Sequence, residues 1–163
     1  MDFTEKLKTK LEQFIDEIHQ ERWYGKEREL INRFVFNHLI NMVENGTDFY
    51  SPAQIAIEGR VKQNLHPGGN QKKEVCKDLV IWRQPNQTIW TGEEDPLIII
   101  EWKFNKDGQL YEKDIEWLKN YTRGNMTTKG VVVSIGKDYT SRAALISLGE
   151  VINEHWIKKS YEK

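Results

Sequence analysis

The chain has 163 residues, of which 38% are hydrophobic, and it contains six Trp, six Tyr and six Phe. This composition predicts one domain with its own hydrophobic core and excludes a disordered tail. The 24 Lys and Arg residues balance 25 Asp and Glu, so the net charge of −1 excludes binding driven by overall charge but permits a local basic patch. A single cysteine excludes an internal disulfide and favours a reducing, cytoplasmic location. No apolar stretch is long enough to span a membrane, and the acidic N-terminal segment lacks the features of a signal peptide.

The hydrophobic periodicity predicts eight elements in the order α-α-β-β-β-α-β-α. Apolar residues at spacings of three and four predict helices over residues 3–22 and 26–44. Alternation and turn chemistry then predict strands over 54–65 and 74–83, joined by a turn at 66–70. A near-continuous apolar run predicts a buried strand over 97–104, because such runs occur where a strand is covered on both faces. The remaining predictions are a helix over 109–121, a strand over 130–135 and a closing helix over 142–157. The fold class is therefore mixed α/β, with a mixed sheet flanked by helices.

Three charged residues lie in or next to apolar strand segments, where a hydrophobic core alone does not explain them. Glu101 follows four aliphatic residues of a buried strand, and Lys103 shares its face because side chains alternate along a strand. Asp78 stands in the neighbouring strand, directly before an apolar run. Acids and a lysine near the interior of a sheet are costly unless they pair with one another or hold a cation. Taken singly, each has a structural explanation: an ion pair between Glu101 and Lys103 at a strand end, and Asp78 as a strand start or turn cap.

Together, the three residues resemble the PD-(D/E)xK nuclease superfamily, in which an acid on one central strand precedes a (D/E)xK tripeptide on the next. The segment opening the second helix, Glu27-Arg28-Glu29-Leu30, resembles the helix start of archaeal Holliday-junction resolvases and of the nuclease domain in type I restriction-enzyme R subunits. The latter family also has a Glu-containing strand, matched here by Ile57-Glu58, and a "pLIIIE-x-K" strand, matched by residues 96–103. The resemblance covers about residues 26–135. Lys77, not Pro, precedes Asp78, but many members also lack this Pro, which holds no metal. No P-loop is present, so no nucleotide-driven motor is predicted in this chain.

The resemblance implies a restriction-endonuclease-like α-β-β-β-α-β core, with an extra N-terminal helix and a C-terminal helix, in a single domain spanning 1–163. It implies a Mg²⁺-dependent deoxyribonuclease acting in restriction, repair or junction processing, with Mn²⁺ able to substitute. The implied metal ligands are Asp78, Glu101 and the backbone carbonyl of Trp102, since hard oxygen donors suit Mg²⁺. Lys103 would contact the attacked phosphate or position the nucleophilic water, and Glu27 would reach the metal directly or through water. The participation of Glu58 is left open.

DNA is the expected partner, and a homodimer is expected if both strands of a duplex are cut. The basic segment 60–73 contributes the candidate phosphate contacts Arg60, Lys62, Lys72 and Lys73. Cys76 is interpreted as a small buried filler. Trp90, in a polar loop, either packs back on the sheet, which is the favoured interpretation, or stacks on a base.

Two alternatives to the nuclease remain. The chain could keep the nuclease fold as a catalytically idle subunit that binds nucleic acid or forms a complex. It could also be an interaction protein without a nucleic-acid partner, in which the three charged residues form a structural salt network.

Overall fold

The computed structural model describes residues 2–63, 73–91 and 95–162. One six-stranded sheet has the spatial order β1-β2-β3-β4-β5-β6, and only β3 and β4 run parallel. The strands are β1 (Ile55–Lys62), β2 (Glu74–Ile81), β3 (Ile98–Asn105), β4 (Lys129–Gly136), β5 (Thr140–Ser147) and β6 (Glu150–Ser160). The helices are α1 (Phe3–Gln20), α2 (Glu27–Asn37) and α3 (Glu112–Gly124). The predicted mixed α/β class is therefore confirmed, and no described helix is long and apolar enough to cross a membrane.

The sheet is covered on both faces, which explains why β3 and β4 are apolar almost throughout. Helices α1 and α2 pack on one face, where their apolar stripes meet Trp102 and the other inward residues of β2 to β6. Helix α3 covers the opposite face with Leu118 and Tyr121, against Val80, Ile99 and Val132. Because α3 connects two parallel neighbours, it also provides the crossover that such a pair requires.

Local signals explain where the first two helices begin. The side chain of Asp2 accepts a hydrogen bond from the backbone N–H of Thr4 and so caps α1. At α2, the Glu29 carboxylate accepts the backbone N–H of Lys26 at 2.7 Å, which fixes the first turn and places Glu27 at its start. The predicted single helix over 26–44 is shorter than expected, since α2 ends at Asn37 and a 3₁₀ turn, Leu39–Met42, follows.

The predicted closing helix over 142–157 is wrong. This segment forms the hairpin of β5 and β6, joined by Leu148 and Gly149 with φ angles of 54° and 80°. A two-residue turn with positive φ at both positions matches the twist of antiparallel strands and favours Gly at one of them. The observed order of elements is α-α-β-β-β-α-β-β-β. Strand β6 lies at the edge of the sheet, and its pairing with β5 is interrupted by register shifts near Leu145.

Candidate functional site

The pairing between β2 and β3 stops where the candidate acids begin. These strands pair from Ile81 with Ile98 to Leu79 with Ile100 and then separate. In the gap, the Asp78 carboxylate accepts the backbone N–H of Trp102 at 2.8 Å. Reciprocally, Glu101 Oε2 accepts the backbone N–H of Asp78 at 3.1 Å. The two carboxylates thus replace carbonyl acceptors of the ladder, and both backbone donors stay satisfied.

The predicted face-sharing of Glu101 and Lys103 is confirmed by their contacts. Ile99, on the same face of β3, packs towards α3, whereas Ile100 and Trp102 pack towards α1 and α2. Glu101 is buried, and Lys103 is partly exposed. The Trp102 ring contacts Phe14 and Phe34 on the far face, so Trp102 meets the Asp78 side only through its backbone. Its carbonyl remains a predicted ligand.

Lys103 is held between two carboxylates. Its Nζ lies 3.8 Å from Glu27 Oε1 and 3.6 Å from Asp114 Oδ2 on α3. Burial lowers the pKa of Lys103, but Asp114 and Glu27 outweigh this effect, so the pKa is raised above its ordinary value. The other Glu27 oxygen, Oε2, accepts the backbone N–H of Phe104 at 2.9 Å, which fixes the carboxylate relative to β3. Glu27 is therefore brought to the site, where its described contacts orient the lysine and the strand end.

The direct partner of Glu101 is Lys77, which the sequence analysis did not select. Lys77 Nζ lies 2.5 Å from Glu101 Oε1 and 3.7 Å from the centre of the Trp117 ring on α3. Both side chains of the ion pair are buried. The structural interpretation in which Glu101 pairs with Lys103 is therefore wrong, because each side chain has other ion-pair partners. Burial and the charge of Asp78 raise the pKa of Glu101 to about 7, although Lys77 acts in the opposite direction.

Lys77 reaches this face because strict alternation fails at the edge of the site. Leu79 and Ile81 of β2 pack towards α1 and α2, whereas Lys77 and Val75 lie on the α3 side. On β1, Gly59 pairs with Lys77, and Glu58, directly before it, has a φ of 54°. Glu58 contacts Arg28 of α2, and the Cys76 thiol lies near its carbonyl oxygen.

Two other interpretations from the sequence are wrong. Cys76 is exposed rather than a buried filler. Trp90 is 77% exposed and therefore does not pack back on the sheet. Its alternative role, stacking on a base, stays a prediction.

The basic segment 60–73, called the basic hairpin below, is described in part. Arg60 forms an exposed ion pair with Glu74 at 2.6 Å, and Lys62 and Lys73 are exposed. Lys72 and the predicted turn at 66–70 lie outside the described residues. Asp114 is the remaining side chain that the sequence analysis missed. Asp114 is the third residue of α3, a helix that the sequence did predict, and this position brings its carboxylate to Lys103.

No family model matches this chain, and no curated protein or solved structure is significantly similar to it. The resemblance to the PD-(D/E)xK superfamily therefore rests on the residues alone and stays a prediction.

The donor set suits a small divalent cation. Asp78 and Glu101 offer hard carboxylate oxygens, and Mg²⁺ typically binds through one or two carboxylates together with water and substrate phosphate. Within the described residues, no group of three or more His, Cys, Asp or Glu forms a metal site. Two carboxylates with further positions left for water and phosphate stay the predicted site. Burial and, to a smaller extent, the charge of Asp78 raise the pKa of Glu101, and a bound cation would favour its ionised form.

We expect Asp78→Asn to leave the metal-free protein as stable as wild type or to stabilise it by up to about 1 kcal/mol. The amide oxygen of Asn can still accept the Trp102 N–H, and the change removes a negative charge facing Glu101. Denaturant melts of both proteins in EDTA measure the difference. A loss of more than about 2 kcal/mol would instead indicate that Asp78 belongs to a structural salt network.

Proposed function

We propose that this chain is a Mg²⁺-dependent deoxyribonuclease of the PD-(D/E)xK superfamily with a restriction-endonuclease-like fold. The observation that carries the proposal is the gap between β2 and β3, where two carboxylates from neighbouring strands converge beside an oriented lysine. The order α2-β1-β2-β3-α3-β4 supports it as well, because it is the α-β-β-β-α-β order that the resemblance implies. A cytoplasmic location and a homodimer acting on both strands are parts of the same proposal.

Each residue has a distinct task in the proposed reaction. Asp78 and Glu101 would hold the cation, with the Trp102 carbonyl as a further ligand. A bound Mg²⁺ supplies an acidified water and neutralises the charge that develops on the phosphate. Lys103, kept charged by Glu27 and Asp114, offers an ammonium to the scissile phosphate. The carboxylate of Glu27 anchors the strand end through the N–H of Phe104, so that Lys103 keeps its direction.

Cleavage assays test this proposal directly. Supercoiled, linear, single-stranded and branched DNA are incubated with the wild-type protein in Mg²⁺, in Mn²⁺ and in EDTA. We expect cleavage of at least one substrate in metal and none in EDTA, and loss of that cleavage in Asp78→Asn. Failure to cut any of the four substrates in either metal would contradict the proposal.

One observation favours the catalytically idle alternative, a subunit that binds nucleic acid or forms a complex. Lys77 already forms an ion pair with Glu101, and so competes for the carboxylate that a metal would need. Thermal melting during a Mg²⁺ or Mn²⁺ titration separates the two functions. A metal site gains stability by mass action, whereas a Glu101 committed to Lys77 does not.

We expect the basic hairpin to contribute to DNA affinity without setting sequence preference. Replacing Lys62, Lys72 and Lys73 with Ala should weaken binding and reduce the slope of log affinity against log salt by about two to three, because each phosphate contact releases counterions. Fluorescence anisotropy at several salt concentrations measures both. Lys8→Ala, Lys10→Ala and Lys113→Ala in one protein provide a control of equal charge on helices α1 and α3. An unchanged slope in the hairpin variant would place the DNA elsewhere.

A further inference from the structure

A small aromatic cleft lies at the end of β3, next to the candidate site. It has a volume of about 100 Å³ and is formed where the segment between α1 and α2 meets the ends of β3 and β4. Its walls include four aromatic rings and two cationic side chains: Trp23, Tyr24, Phe104, Tyr139, Arg22 and Lys137. Phe104 directly follows Lys103, and its backbone N–H is the group bound by Glu27. The Phe104 ring lies on the α1 and α2 face, whereas Lys103 faces α3, so the cleft and the candidate site lie on opposite faces of β3 and are connected around its end by Glu27.

One ring of the cleft is largely uncovered by the fold. Tyr24 is 76% exposed, whereas Trp23, Phe104 and Tyr139 are partly buried. Its ring meets Phe104 edge-on, with centroids 6.0 Å apart, and Trp23 meets Phe104 at 5.3 Å. The arrangement forms an aromatic platform at the surface.

Lys137 lies over two rings of this platform, and Arg22 lines the same cleft. Lys137 Nζ lies 5.0 Å from the centre of the Tyr24 ring and 5.3 Å from that of Phe104, and both Lys137 and Arg22 are exposed. Aromatic faces flanked by cations fit one ligand chemistry well, namely a nucleobase that stacks on a ring while its phosphates meet the charges. A paired base has both faces covered by its neighbours in the duplex, so only an unpaired base can use such a cleft.

We propose that this cleft binds an unpaired nucleobase of a DNA strand that passes around the end of β3 to the candidate site. The proposal rests on the proposed nuclease function for its substrate, and it narrows that substrate to DNA with a single-stranded or distorted segment. Tyr24 supplies the exposed stacking face, and Lys137 and Arg22 contact the flanking phosphates. Blunt duplex DNA would engage the basic surfaces but not the cleft.

The test measures binding in EDTA, where cleavage is prevented. The probes are a single-stranded oligonucleotide containing 2-aminopurine and a blunt duplex of the same sequence. We expect Tyr24→Ala to weaken binding of the single strand about 5- to 100-fold, the range for losing one stacked base, and to change duplex binding less than twofold. The quenching of 2-aminopurine on binding should be lost in Tyr24→Ala and kept in Tyr24→Phe, which retains the ring.

Phe36→Ala is the matched control, because Phe36 is a 65% exposed aromatic residue on α2 that does not line the cleft. Equal loss in both variants, no loss in Tyr24→Ala, or no binding of the single strand by wild type would each overturn the proposal.

The nuclease proposal and the cleft proposal fail in different ways. A protein that binds through Tyr24 but never cuts DNA contradicts the nuclease alone, whereas a nuclease indifferent to Tyr24→Ala contradicts the cleft alone.

Discussion

Replacing Asp78 with Asn should lower the rate of DNA cleavage at least about 100-fold, because a bound metal contributes several kcal/mol to stabilising the transition state. The substitution removes one ligand charge but keeps the shape of the side chain and its bond to the Trp102 N–H. DNA binding should be unchanged or tighter, since a negative charge facing the phosphates is removed. Single-turnover cleavage and anisotropy in EDTA measure the two effects separately.

Glu101→Gln should also abolish cleavage, but it is the less clean variant because it deprives buried Lys77 of its charged partner. Glu112→Gln, an exposed acid at the start of α3, is the control that should keep wild-type activity. Near wild-type cleavage by Asp78→Asn would show that the site is assigned wrongly.

The second large effect concerns Lys77. Replacing it with Met should lower the free energy of unfolding in EDTA by about 3 kcal/mol at pH 8, because removal of one partner leaves Glu101 buried without a counter-charge. The same variant should bind Mn²⁺ more tightly, since no ammonium then competes for the carboxylate. Its melting temperature should therefore rise more with added Mn²⁺ than that of wild type.

A double variant separates these causes. Lys77→Met combined with Glu101→Gln leaves no buried charge without a partner, so the double variant should be more stable in EDTA than Lys77→Met alone. Its stabilisation by Mn²⁺ should be lost. Lys106→Met, on an exposed lysine just beyond β3, is the control for loss of a positive charge. If Lys77→Met neither destabilises the metal-free protein nor changes its response to Mn²⁺, the buried ion pair has no part in cation binding.

The sequence was sufficient to predict the strand that carries the site. Four aliphatic residues before Glu101 indicated a strand covered on both faces, and alternation placed Glu101 and Lys103 together. It was not sufficient to predict Lys77. Alternation from Leu79 and Ile81 predicts that residue 77 faces α1 and α2, away from Glu101. A glutamate at position 58 gives no indication of a positive φ. The separation of β2 from β3 was also hidden, because side chain to backbone bonds across strands depend on register.

The C-terminal hairpin shows the converse, a signal that was present but outweighed. Apolar residues between 143 and 157 recur at spacings that also suit a helix, and the two-stranded interpretation depends on the turn. Gly149 was the available clue, since it interrupts the pattern and can adopt the positive φ of a tight turn. Leu148 obscured it, because a leucine with φ of 54° is rare.

The position of β6 has a consequence for how copies of the protein meet one another. An edge strand offers a row of backbone donors and acceptors to any extended segment, and such edges invite aggregation. Strand β6 has 11 residues and is therefore a long template. Its exposed residues include Glu150, Glu154, His155 and Lys158, and the register shifts opposite Leu145 disturb its regularity. Charge and irregularity together discourage a second sheet from adding to this edge, so that the longest strand of the fold ends the sheet rather than extending it into a fibre.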